Sequence, residues 1–157
     1  MKTILLDLQN TKEYEVTEDS EILALFLGSG EESVKNKIRI VHRKPGIRSR
    51  IDIRAVLKDS SSFDLETTVV IEDGAYQSDT YLNMRALLLS DLSRAHSIPS
   101  LEIKEDQVKG GHAASVGKID EGQMHYLMTR GLTEKEAENL LVDAFIQDIK
   151  EKIHAAS

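Results

Sequence analysis

His112 is the side chain with the most chemistry to offer, because it follows Gly110-Gly111. Two residues without Cβ let the backbone take positive φ or approach another group closely. A histidine held there could ligate a metal or shuttle a proton. It could equally anchor a corner by hydrogen bonds, and the spacing alone leaves both readings open. His42, His96, His125 and His154 are the other histidines, and none makes the i,i+4 pair or the cysteine pairing of a metal site. His125 is expected beside the apolar face of a helix in a structural role, and His154 on a frayed terminus. The chain has no cysteine, so by itself it offers neither a disulfide nor thiolates for zinc or an iron–sulfur cluster. An enzymatic reading would join His112 to acids near Asp106 as a general-base pair or a metal site. Nothing in the pattern singles out an opposed pair among the 27 acids, and the phosphate-loop, dinucleotide, serine-hydrolase and zinc-protease motifs are absent. Enzyme is therefore the weaker class.

Arg48, Arg50 and Arg54 form a basic stripe that could receive phosphate or an acidic partner. The next strand offers Asp64 and Glu66, so the bland expectation is cross-strand ion pairs between the two. The stripe lies in a basic band. Residues 37–58 hold eight basic and one acidic group, whereas residues 1–36 hold three and eight, residues 59–119 five and ten, and residues 120–157 four and eight. With a formal charge of −7 and no aromatic residue among the arginines, nucleic-acid binding is not expected. The opening MKTILLDLQN lacks a secretory apolar region and no stretch reads as a membrane span, so the expectation is a cytoplasmic protein with no membrane partner.

These groups need elements to position them, and the hydrophobic period changes once, from about two residues before Ile119 to a helical 3.6 after Asp120. The predicted division is a β core over 1–119 and a helical segment over 120–157. Ser49–Val56 places Ile51, Ile53 and Ala55 on one face and Arg50, Asp52 and Arg54 on the other, and Ser62–Ile71 sets Phe63, Leu65, Thr67 and Val69 against Asp64, Glu66 and Thr68. Shorter strands fit Lys37–His42, Leu87–Leu89, Leu101–Ile103, Lys2–Asp7 and Tyr14–Val16. Sandwich, barrel and solenoid all suit this spacing, and Glu72-Asp73-Gly74 reads as a hairpin turn or a solenoid corner. No short repeat can be counted.

Asp120 is placed to cap a helix from Glu121 to Arg130 that Gly131 ends, and Thr133-Glu134-Lys135-Glu136 makes a capping box with Leu132 set to staple on Ala137. In the second helix Ala137, Leu140, Leu141, Ala144, Phe145 and Ile149 are expected to form one continuous apolar stripe. The short Gly131-Leu132 junction predicts a helical hairpin or corner. Tyr126, Arg130 and the Gly131-Leu132 corner are candidates to enter a partner's groove; packing only on the β core is the alternative.

Four ordered strings now carry a resemblance: L-N-x-x-x-L-L-L-S at Leu82–Ser90, P-x-L-E-I at Pro99–Ile103, H-x-A-x-V-G at His112–Gly117 and Y-L-x-x-R-G-L at Tyr126–Leu132. From about Ile40 to Ile149 the chain resembles the C-terminal part of the SufB/SufD family, scaffold components of Suf iron–sulfur cluster assembly, and it is closer to SufD. The resemblance implies a mainly β fold, a short right-handed parallel β-helix (solenoid) followed by a helical pair, with Ile51, Ile53, Phe63, Leu65 and Val69 inside the coil. It implies docking of a SufC-like ABC ATPase on the final helices, through Tyr126, Arg130, Gly131 and Leu132. It also implies a dimer with a SufB/SufD-like subunit or with a second copy. His112 matches the histidine of the SufD-type C-[ST]-H-G-A-T-V-G motif, a residue implicated in cluster assembly at the subunit interface. The motif cysteine, however, is Gly110, and the glycine after the histidine is Ala113. On that reading no cofactor is held stably by the chain alone, and a transient Fe–S cluster would take its thiolates from a partner with His112 as one nitrogen ligand. The N-terminal helical domain and several coils of full-length members have no counterpart in the string, as in a minimal or divergent member. A solenoid interaction protein that has lost cluster assembly is the rival expectation.

Overall fold

The computed structural model describes residues 1–157. Strands β1 (Lys2–Leu5), β2 (Glu13–Val16), β3 (Ser20–Gly28), β4 (Ser33–His42), β5 (Arg48–Leu57), β6 (Ser62–Ile71), β7 (Asp79–Leu88), β8 (Arg94–Ile103) and β9 (Lys109–Lys118) precede helices α1 (Glu121–Thr129) and α2 (Glu134–Ala156). The odd-numbered strands form a five-stranded sheet in the order β1-β3-β5-β7-β9, and β2-β4-β6-β8 form a second sheet. Every pairing is parallel. Two sheets fed alternately by one chain make a parallel β-solenoid of about four coils, which decides among the three all-β architectures.

Parallel strands in register stack like on like, so each inward row runs the length of the solenoid. Ile22, Ile51 and Leu82 form one row and Ala24, Ile53 and Met84 the next; Val34 stacks on Phe63 and Ile40 on Val69 from the other side. All of these belong to one cluster of 19 buried residues. Ile51, Ile53, Phe63, Leu65 and Val69 are each no more than 2% exposed, as the resemblance implied. Full burial of such a side chain contributes about 1.5–3 kcal/mol. Glu72-Asp73-Gly74 is a corner, closed by Ala75 N–H donating to the Glu72 carbonyl at 3.1 Å, with Gly74 at φ 86°.

The expected pairing of Arg48, Arg50 and Arg54 with Asp64 and Glu66 is not what the chain does. In a solenoid, strands consecutive in sequence enter different sheets. β5 therefore bonds to β3 and β7, whereas Asp64 and Glu66 on β6 stand beside Lys35 and Lys37 of β4. Arg50 instead pairs with Asp79, and Arg54 with Asp52 and Asp148.

Both predicted helices are present with their caps: Asp120 accepts from Gln123 N–H at 2.8 Å, Thr133 Oγ1 accepts from Glu136 N–H at 3.2 Å, and Gly131 has φ 101°. The single apolar stripe of α2 divides in two. Val142, Phe145, Ile146, Ile149 and Ile153 pack on Leu23 and Val56, on the outer face of the five-stranded sheet. Leu140, Leu141 and Ala144 line a groove with Tyr126 and Leu127 of α1. Ile146, 2% exposed, lies outside the expected stripe because the helix serves two neighbours at different angles.

Candidate functional site

The last coil is uncovered. His112 stacks on Leu82 in the register of β7 and β9, Ala114 on Met84 and Val116 on Ala86, so this rung continues inward-facing rows. Leu82 and Met84 are fully buried, but no further strand covers β9 and His112 is exposed. Ile103 and Val116, at 46% and 44% exposure, are the matching apolar ends. Lys109 N–H and Ile119 N–H donate back to Ser78 and Leu88 carbonyls. Residues alternate in direction along a strand, so Gly110, His112, Ala114, Val116 and Lys118 aim their backbone groups at the open edge. On β8 the N–H groups of Arg94 and Lys104 bond Ser61 and Ile71, which places Pro99 on the open side, where a missing N–H is tolerated. The β8 edge is thereby blunted. Gly110–Gly117 of β9 carries neither proline nor a charged residue.

Gly110 continues the row Ser20–Ser49–Thr80. A Cβ built on it would meet Ile103 Cδ1 at 3.2 Å, the tip of a movable side chain. Beneath it runs a buried polar line that the sequence did not single out. His42, fully buried, shares a 2.8 Å hydrogen bond between Nε2 and Ser49 Oγ, and Ser49 Oγ is 2.7 Å from Thr80 Oγ1. Its Nδ1 has no partner. Burial pushes the His42 imidazole down to about 4, because desolvation opposes the charged form.

Asp106 lines a corner cleft of about 480 Å³ with Arg48, Asp79 and Lys109. No group of three or more His, Cys, Asp or Glu side chains stands ready to hold a metal ion, which leaves a metal site at His112 and Asp106 without support. His125 is exposed on α1. His96 lies 3.7 Å from Asp64 on the surface. No helix is long and apolar enough to cross a membrane.

The helical candidates lie together at one end of the hairpin. Tyr126 is 57% exposed, and Arg130 sits over its ring at 5.1 Å. Gly131 and Leu132 turn the chain, Leu132 N–H donating to the Leu127 carbonyl at 3.3 Å. Leu132 is half-buried, while Leu140 and Met128 are 48% and 44% exposed. No residue of α1 is buried. This is an apolar groove with a cation–aromatic pair at its rim.

Over residues 10–145 the chain matches the family described as SUF system FeS cluster assembly, SufBD core domain. It is 36% identical over 125 residues to the iron–sulfur cluster assembly protein SufD of Bacillus subtilis (strain 168), covering 80% of this chain and 29% of that protein. Against an iron–sulfur cluster assembly SufBD family protein of Mycobacterium leprae (strain TN) it is 34% identical over 143 residues, covering 86% of this chain and 36% of that protein. A Mycobacterium tuberculosis (strain ATCC 25618 / H37Rv) protein of the same description shares 31% identity over 133 residues, 85% of this chain and 16% of its own length. The chain thus spans about a third or less of the length of these curated relatives. A family match over most of the sequence, joined to the parallel solenoid with two closing helices, places the chain in the SufBD family of the SUF iron–sulfur cluster assembly system.

Proposed function

We propose that this chain is a cytoplasmic, non-enzymatic scaffold or adaptor of Suf-type iron–sulfur cluster assembly. It pairs through the open end of its solenoid with a SufB/SufD-like subunit or a second copy, and docks a SufC-like ABC ATPase on its C-terminal helices. The observation that carries this reading is the uncovered last coil, where His112 stands on an edge strand whose Gly110–Gly117 run is free of charge and proline. A long, uncharged strand edge is a template for another strand, and pairing there buries the exposed Ile103 and Val116. Because the chain has no cysteine, a cluster assembled at that edge draws its thiolates from the partner, with His112 contributing one nitrogen. ATP hydrolysis belongs to the docked ATPase, whose contact is the corner of Tyr126, Arg130, Gly131 and Leu132 together with the groove that Tyr126 lines with Leu127 and Leu140.

Co-purification with the SufC-like ATPase of the same genome tests the docking half, with Leu140→Asp in the groove as the control. Association that the control abolishes supports the reading; no association removes the ATPase from it. The second reading is a solenoid interaction protein without cluster work, which the glycine at position 110 favours. His112→Ala distinguishes them. Lost complementation of cluster supply at unchanged melting temperature supports cluster assembly, and full complementation supports the second reading.

A further inference from the structure

The cleft between α2 and the outer face of the five-stranded sheet contains an arginine, Arg85, whose one ion pair is a long contact to Asp52. Arg54, Arg85 and Phe145 line it with Lys118, Gln123 and Leu141, around a volume of about 620 Å³. Arg54 is saturated: its Nε and both terminal nitrogens donate to Asp52, Asp148 and the Phe145 carbonyl. Arg85 stands beside it with its guanidinium carbon 5.6 Å from the centre of the Phe145 ring. Its Nε is buried without a partner, and its nearest acid, Asp52, lies 3.8 Å away and is already held by Arg54. A guanidinium fixed on an aromatic face, with its fork open, is shaped for two-point binding of a carboxylate.

The surrounding charge says how such a carboxylate arrives. Asp52, Asp148 and Asp120 outnumber Arg54 and Arg85 by one charge, and Lys118 is paired with Asp91 at 2.6 Å. The cleft therefore has no net positive field to concentrate a free anion from solution. It gains affinity for an acid only when a neighbouring surface excludes water, where a fork-to-carboxylate pair strengthens. Such a surface has a seat alongside: Asp120, Gln123, Leu141 and Ala144 line both this cleft and the apolar groove of Tyr126, Leu127 and Leu140.

We propose that Arg85 is the specificity anchor of the helical docking surface, receiving an acidic side chain of the protein seated against α1 and α2. This rests on the docking reading above, and its failure is separable from that reading. Binding of the full chain to the SufC-like ATPase is measured by calorimetry at low and high salt for wild type, Arg85→Met and Arg85→Lys. The expected result is a loss of at least tenfold for Arg85→Met, partial recovery for Arg85→Lys, which restores charge without the fork, and a shallower salt dependence for Arg85→Met. Melting temperature serves as the folding control, and Arg85→Lys carries the comparison if Arg85→Met does not fold. Wild type binding with Arg85→Met equally tight overturns the anchor and leaves docking intact. A wild type that does not bind overturns both. Sodium acetate binding the free wild type at low millimolar concentration, and not Arg85→Met, overturns the partner assignment in favour of a small-carboxylate site.

Discussion

Arg54 on β5 and Asp148 on α2, 94 residues apart in sequence, close on each other with Arg54 Nη2 donating to Asp148 Oδ2 at 2.7 Å. Arg54 is 2% exposed, so its charge is tolerated only through these partners. Burial opposes the charged guanidinium, and the hydrogen bonds to Asp148 and Asp52 outweigh it, leaving the group raised. The same contact holds the Asp148 carboxyl down to about 2. Asp148→Ala leaves two donors of a buried cation unmatched. Because the Asp148 side chain is 63% exposed and screened by water, the expected loss is about 1–2 kcal/mol rather than the 3–5 of a fully buried pair. Chemical denaturation gives the stability, and faster amide exchange confined to α2 identifies the helix as the part released. Uniform exchange across the solenoid would contradict a local clamp.

His42 makes stability fall in mild acid. Its folded value of about 4 is below the ordinary histidine value near 6.5, so between those values the unfolded chain binds the extra proton. Stability is then complete above about pH 6.5 and declines as pH falls towards 4, by up to about 3 kcal/mol from this group. His42→Asn should flatten the profile between pH 4.5 and 6.5, although the substitution lowers stability at pH 7. Parallel profiles for the two proteins across that window would exclude His42 as the cause.

Where a side chain's role was local, the sequence disclosed it; where it depended on distant chain, it did not. Ile51, Ile53, Phe63 and Leu65 alternate with polar neighbours, so β5 and β6 and their inward faces were readable. The solenoid was not, because Ser20, Ser49, Thr80 and Gly110 follow one another at unequal steps and share only a small side chain. β9 escaped notice since Gly110-Gly111 and the following alanines lack an apolar alternation, the rung having no interior to fill. Gly-Gly still pointed to His112. Arg54 was correctly placed opposite Ile53, but its burial depends on a helix that returns at Asp148. Arg85, a single cation between Met84 and Ala86, became informative only when Phe145 was laid beside it.

Gly110→Cys returns a thiol to the position that the family motif gives to cysteine. The added Cβ meets Ile103 Cδ1 at 3.2 Å and Leu101 Cδ1 at 3.6 Å, contacts with flexible tips at an open end. The variant is expected to fold with a loss of no more than about 1–2 kcal/mol and to react with a thiol reagent in its native state. Protection of that thiol by a SufB/SufD-like partner would locate the position inside the pairing surface. A native thiol that reacts only after denaturation would mean that Ile103 closes over Thr80 and that the last coil is less open than its exposure indicates.

The β9 edge gives the last prediction. Gly110–Gly117 offers outward backbone groups on His112, Ala114 and Val116 with no charge to resist a second strand, whereas Pro99 interrupts the neighbouring β8 edge. An antiparallel pairing centred on Ala114 sets His112 of one copy opposite Val116 of the other and keeps Lys109 and Lys118 at the two ends. A self-pairing chain should therefore sediment as a concentration-dependent dimer. Ala114→Lys places a charge on the inward face of the edge, a device that blocks strand addition, and should convert the dimer to monomer without altering the circular dichroism of the solenoid. If the wild type is a monomer alone but a heterodimer with a SufB/SufD-like subunit, the same substitution should abolish that complex. Association unaffected by Ala114→Lys would place the pairing surface elsewhere than at β9.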